Sequence, residues 1–159
     1  MKKIAALFLL LISSFLLITV KAQEQNTPLD LAQKAVETRQ SVFKLLDMHM
    51  EPLAAMARGR VPFDATLAVK NSKRISQLAA MIPDVFAMDT REFEVETLAL
   101  DKIWDNKSDF EKHALELIEK ADAFSTAAQG GDQAANMKEI RPLGTACGNC
   151  HDNYRMEKK

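Results

Sequence analysis

The sequence predicts an all-α fold, an antiparallel four-helix bundle in up-down-up-down order. Three observations predict it. Ala, Leu, Met, Glu and Lys are abundant, and only five glycines interrupt the chain, a composition that favours helix. Apolar residues recur close to the 3.6-residue helical period over four long stretches. Those stretches are punctuated by Gly59, Pro83 and Gly130-Gly131, giving two short connections and one long one, as antiparallel neighbours need. Such helices pack about 20° off parallel.

The chain opens with Lys2 and Lys3, followed by an apolar run from Ile4 to Val20 broken only by Ser13, Ser14 and Thr19. Val20-Lys21-Ala22 then puts small or apolar residues at the −3 and −1 positions of a cleavage after Ala22, the layout of a secretory signal. An uncleaved anchor is the alternative, since about 17 apolar residues is the lower limit for spanning a bilayer. The polar run Gln23 to Thr27 directly after the site favours removal, and no cysteine stands there to carry a lipid. The expected organisation is a signal peptide over 1–22 and one helical domain over 23–159, exported to an oxidising compartment, the bacterial periplasm. Cleavage removes three lysines and no acid from a chain of net charge −1. A mildly acidic chain without a basic cluster argues against nucleic acid as a partner.

In the first helix, from about Pro28 to Arg58, the apolar positions are Leu31, Ala35, Val42, Phe43, Leu46, Met50, Leu53 and Ala57. Gly59 ends it, and Pro52 removes one N–H, predicting a kink near Met48. Asp64 is the N-cap of the second helix, whose inward face is Leu67, Asn71, Ile75, Leu78 and Ile82, and Pro83 stops it. Asp84 to Asp105 is the least regular stretch, with a short helix near Leu98 to Trp104. The third helix runs from Ser108, its cap, to Ala128, with Phe110, Ala114, Leu117, Ala121 and Phe124 or Ser125 inward. Asp132 caps the fourth, which aligns Met137, Ile140, Gly144, Cys147, His151 and Tyr154 and is expected to bend at Pro142.

The chemistry is concentrated in Cys147-Gly148-Asn149-Cys150-His151, which holds both cysteines of the chain. Residues i, i+3 and i+4 share a helix face, with Cβ atoms roughly 5–6 Å apart. The segment therefore presents two thiols along one edge with an imidazole beside them. That suits a covalent haem c, with thioether bonds from Cys147 and Cys150 to the vinyl groups and His151 as iron ligand. A thioredoxin-like pair would need a βαβ context. A zinc site would need about four ligands, and His49 and His113 lack ligand spacing to the motif. A disulfide across i and i+3 of a helix would be strained.

With an export signal, four helices and a C-terminal C-x-x-C-H, the chain resembles the cytochrome c prime family over nearly all of its mature length. Further landmarks are Arg39-Gln40, the turn Gly59-Arg60-Val61-Pro62-Phe63-Asp64, and Ile82-Pro83 followed by Phe86. Thr97-x-Ala99 leading to Ile103-Trp104 and the block from Gly144 to Arg155 complete them. The resemblance implies a haem c between the helices with His151 as its only protein ligand on the proximal side. It implies that Arg39, Gln40 and Thr97 lie near the haem and its propionates, with a solvated face or a loop cap as the plainer reading of each. It implies that Arg155 approaches the proximal pocket, whereas Trp104 reads as core packing.

The same alignment of landmarks sets Phe43 at the family's distal position. A six-coordinate branch of the family has a ligating Met there, and phenylalanine has no donor atom, so five-coordinate iron is expected. The function so implied is one-electron exchange together with binding of a small diatomic, NO or CO, alongside an unidentified redox partner protein. Pairing of two copies through the first two helices is implied by the resemblance as well. Two alternatives stand beside this reading: a Met-ligated electron shuttle of the same fold, and an exported helical binding module without haem. No carboxylate pair or nucleophile–base set stands out to suggest an enzyme.

Overall fold

The computed structural model describes residues 26–130 and 133–157. The signal segment and the Asp132 cap lie outside the described residues, as does the side chain of Met137. Among the described residues six helices follow in order: α1 Pro28–Ala57, α2 Ala65–Ala79, α3 Ile82–Val85, α4 Lys102–Asp105, α5 Lys107–Gln129 and α6 Gln133–Tyr154. The four long ones form a ring in which α1 packs on α2, α2 on α5, α5 on α6, and α6 back on α1. Phe86, just after α2 and α3, touches Phe43 of α1 and Phe110 at the start of α5, and Phe110 touches Tyr154 at the end of α6. One end of the bundle thus gathers the middle of α1, the beginning of α5 and the ends of α2 and α6, which is the up-down-up-down order.

Local chemistry sets the boundaries. Thr27 and Asp30 form a capping box on α1: the Thr27 hydroxyl accepts from the Asp30 N–H, and the Asp30 carboxylate accepts from the Thr27 N–H at 2.8 Å. At the other end Gly59, at φ 65°, closes a Schellman motif, with Arg60 N–H donating to Ala55 O and Gly59 N–H to Met56 O, both at 2.9 Å. Asp64 caps α2 by accepting from Leu67 N–H at 2.9 Å. Helices α1 and α6 run on through Pro52 and Pro142.

Several expectations need correction. The buried seam of α1 is Ala32, Val36, Arg39, Val42, His49, Leu53 and Met56, whereas Leu31 and Ala57 are exposed. A straight 3.6-residue stripe drifts against a bundle seam over a helix this long, and two polar side chains belong to the seam. Helix α2 stops at Ala79, before Pro83, which instead occupies the first turn of α3, where its missing N–H costs nothing. Ile82 is buried but belongs to α3, and Ala68, Ser72 and Ala79 replace Leu67 and Leu78 as the innermost residues of α2. Ser108 is an exposed residue inside α5, which begins at Lys107 after Asn106. On α6 the seam is Asn136, Ile140, Leu143, Ala146 and Tyr154, leaving Gly144 exposed and Cys147, Cys150 and His151 half-buried along its edge.

The long connection is fastened to the chain's end. Ala99 and Arg155 form an isolated antiparallel bridge, flanked by Leu100 N–H donating to Tyr154 O at 3.0 Å and Met156 N–H to Leu98 O at 2.8 Å. The short helix expected near Leu98 is therefore confined to α4, and Leu98 to Leu100 are extended. The Tyr154 ring, 5 % exposed, stacks edge-on against Phe110 and His113, and its hydroxyl donates to Asp109 Oδ2 at 2.7 Å.

Two predictions follow from buried polar contacts. His49 Nδ1 lies 2.8 Å from Asn71 Oδ1, joining α1 to α2 inside the core. Asn71→Leu strands that nitrogen and should lower stability by about 1–3 kcal/mol in urea denaturation. The Tyr154 phenol is pushed up to about 12, first by burial, then by the hydrogen bond and charge of Asp109. The folded chain therefore keeps a proton that an unfolded tyrosine releases near about pH 10. Stability should fall as pH rises from about 10 through about 12, and urea midpoints of Tyr154→Phe should be lower at neutral pH but decline less across that window.

Candidate functional site

The last two turns of α6 carry Cys147, Cys150 and His151, all half-buried, and both thiols are free. Burial pushes the Cys147 thiol up; Cys150 is pushed up to about 11, by burial and then by the neighbouring Cys147. At neutral pH both are thiols rather than thiolates. The His151 imidazole is shifted down, by burial first and by the Arg155 charge second, with Asp152 opposing. Its favoured form is the neutral ring, which keeps a nitrogen lone pair for a metal.

The wall facing this turn is apolar. Phe43, Leu46 and Met50 of α1 are half-buried and pack on the same core cluster as Cys147 and Cys150. Met50 Cε reaches within 4.0 Å of where a β-carbon on Gly144 would stand, fixing the level at which α1 crosses α6. The two helices run in opposite directions. Seven residues back along α1 and seven forward along α6, each about 10.5 Å of helical rise, bring Phe43 and His151 to one level. The Phe43 ring is held edge-on by Phe86, with centroids 6.2 Å apart.

Arg39 stands one turn before Phe43 and is 3 % exposed. Its Nε donates to Val85 O and one terminal nitrogen to Thr90 Oγ1, both at 2.8 Å; the other terminal nitrogen donates to Met88 O. Its guanidinium carbon lies 4.7 Å from the Phe86 centroid and 5.1 Å from that of Trp104. Among the described residues no carboxylate touches it. Asp89, the acid that acts on it through space, is engaged by Arg91 at 2.6 Å. Burial accordingly lowers its pKa, with Asp89 opposing. Gln40 and Thr97 have local partners instead. Gln40 Nε2 makes a long 3.5 Å contact to Glu96 O, and Thr97 Oγ1 accepts from Ala99 N–H at 3.1 Å.

The structure thus brings Cys147, Cys150 and Phe43 onto one apolar cluster, joins Arg39 to it through Phe86, and sets Gln40 and Thr97 on the exposed and half-exposed rim. Thr90, Asp109 and Leu100 are contributors that sequence reasoning did not single out. No local pattern marks them, because each acts through a partner about 45 residues or more away in the chain. The residues fit a haem c. Two free thiols and a neutral imidazole stand on one edge, an apolar wall faces them, and a buried cation without an acid is available to a propionate.

Comparison with known proteins agrees. The cytochrome C' family matches residues 34–155. Cytochrome c-556 of Agrobacterium fabrum is 36% identical over 123 residues, covering 77% of this chain and 82% of that protein. The crystal structure of cytochrome c' from Rubrivivax gelatinosus superposes with a TM-score of 0.69 at 31% identity, covering 78% of this chain and 96% of that one. The nitric oxide complex of a mutant cytochrome c prime from Alcaligenes xylosoxidans gives 0.70 at 26% identity, covering 80% and 97%. The chain belongs to the cytochrome c' family.

Proposed function

We propose that the protein is a periplasmic c-type cytochrome, released by cleavage after Ala22, whose single haem is five-coordinate, exchanges one electron and binds NO or CO. The reading rests on the levels of α1 and α6: counted from the Met50–Gly144 contact, Phe43, which offers no lone pair, falls at about the height of His151. The nitric oxide complex of the Alcaligenes xylosoxidans relative supports the choice of ligand. When bound, the haem supplies a one-electron iron couple and an iron face able to take a diatomic molecule.

The chain's own residues do the rest. Cys147 and Cys150 would hold the group covalently, and His151 would offer its neutral nitrogen to the metal. Phe43, Leu46 and Met50 would exclude water beside it. These three side chains offer no hydrogen-bond donor, which favours NO or CO over O₂ as ligand, and the Phe43 ring would have to swing aside to admit a diatomic. The buried charge of Arg39 suits an anionic propionate, and Gln40 and Thr97 suit the rim. The Met-ligated shuttle is disfavoured by Met50, whose Cε stands at the level of Gly144 rather than His151. Pairing of two copies through α1 and α2 is supported by Leu45 and Met48, 43 % and 54 % exposed on α1.

Covalent attachment is tested by Cys147→Ala and Cys150→Ala. Each should give less haem stain on a denaturing gel and a less stable fold, because the haem fills part of the bundle's apolar interior. No stain in the wild-type protein would return the haem-free binding module.

Phe43→Ala tests the distal assignment. The ring is half-buried, so the stability cost should fall below the about 3–5 kcal/mol typical of buried aromatic truncations. CO should reach ferrous iron faster in stopped flow, because no ring has to be displaced. Phe43→Met should move the spectrum toward low spin and raise the reduction potential, as Met/His ligation does. An unchanged on-rate in Phe43→Ala would identify the ring as ordinary core packing.

A further inference from the structure

We propose that Asp109 and Tyr154 are positioning residues for His151, a role that rests on reading His151 as the iron ligand. The imidazole stands three residues before the end of α6, in a turn whose last carbonyls have no partners within the helix. Such a turn frays unless something outside the helix holds it. Here two contacts do, beyond the helix's own closing bond from Arg155 N–H to His151 O at 3.1 Å. The extended strip Leu98 to Leu100 pairs with Tyr154 to Met156 from one side. From the other, the Tyr154 hydroxyl donates to Asp109 Oδ2 at 2.7 Å, tying the turn to the start of α5.

The last contact is the one with directional chemistry. Tyr154 lies one turn beyond Cys150 and His151, so a rotation of its anchor is transmitted to both. Phe110 and His113 stack on its ring, and Lys102 Nζ lies 5.2 Å from its centroid, so the ring is held on several faces while the hydroxyl sets its depth. The carboxylate of Asp109 also faces His113 Nε2 at 3.7 Å, which leaves the phenol as its close partner. A hydrogen bond to a charged acceptor is stronger than a neutral one, and this one fixes the azimuth of the helix face that carries His151. Outer groups that orient a ligating histidine tune the metal as the ligand itself does.

The test uses the haem-loaded protein and reads the iron–imidazole stretching band of the ferrous state by resonance Raman. Tyr154→Phe and Asp109→Leu should shift that band down and broaden it, whereas Asp109→Asn, which keeps an oxygen acceptor, should retain the wild-type band. Amide exchange at Arg155 should quicken roughly five- to tenfold in the first two variants, the signature of one lost hydrogen bond. Asp64→Ala, which removes the α2 cap at the opposite end of the bundle, should lower thermal stability without moving the band. An unmoved band in both Tyr154→Phe and Asp109→Leu overturns the assignment while the haem reading stands. An equal shift in Asp64→Ala overturns it too, because the effect would then be general loosening. Wild-type protein without thioether-bound haem overturns both readings.

Discussion

A guanidinium buried without a carboxylate against it governs one end of this bundle. Removing a charge from water costs several kcal/mol unless its protons find acceptors. Arg39 meets that demand with the carbonyls of Val85 and Met88 and the hydroxyl of Thr90, and with the faces of Phe86 and Trp104. Those partners all belong to the connection between α2 and α5 or its short helices. The path of the connection is therefore set by one side chain of α1. Trp104 in turn donates its indole N–H to Phe86 O at 3.2 Å, which locks the two aromatic residues under the cation. Phe86, held there, is what Phe43 and Phe110 lean on.

Two seams of the bundle solve packing differently. Between α2 and α5 the seam is rich in small residues, with Ala68, Ser72 and Ala79 facing a helix whose buried positions include Ala114, Ala121 and Ala128. Small side chains let the two helix axes approach and leave little room between them. Between α1 and α6 the facing residues are larger and only half-buried: Phe43, Leu46 and Met50 on one side, the two cysteines on the other. Apolar surface kept partly open beside a close-packed seam is what a haem between helices would cover, gaining roughly 25 cal/mol for each Å² removed from water.

How far this was legible in the sequence depends on the range of the interaction. Helix ends written by neighbouring residues could be read directly, as at Gly59, at Asp64 and near Gly130; the Thr27-Pro-Leu-Asp30 box was equally local and went unread. The seam of α1 could not be read from apolar residues alone, because Arg39 and His49 are part of it and their partners lie 22 to 51 residues away. Ser108 looked like a cap and is not one, since Asn106 already begins the turn. The motif Cys147 to His151 suggests its chemistry through spacing, and the expectation of Phe43 opposite it rests on family landmarks. What holds that motif was not legible. Asp109 and Leu100 resemble any other acid at a helix start and any other loop leucine until the fold sets them beside Tyr154.

The least regular part of the chain thus has the most specific duties. The last helix carries both cysteines of the chain. It is also the place where a helix end frays most easily. The connection over residues 86–101 resolves that conflict from both sides: its beginning is clamped by Arg39, and its end is paired with Tyr154 to Met156. One connection therefore couples α1, through Arg39, to the α6 turn that carries His151. Substitutions along this connection would reach an iron held by His151 without touching it, because the connection ties α1 to the end of α6.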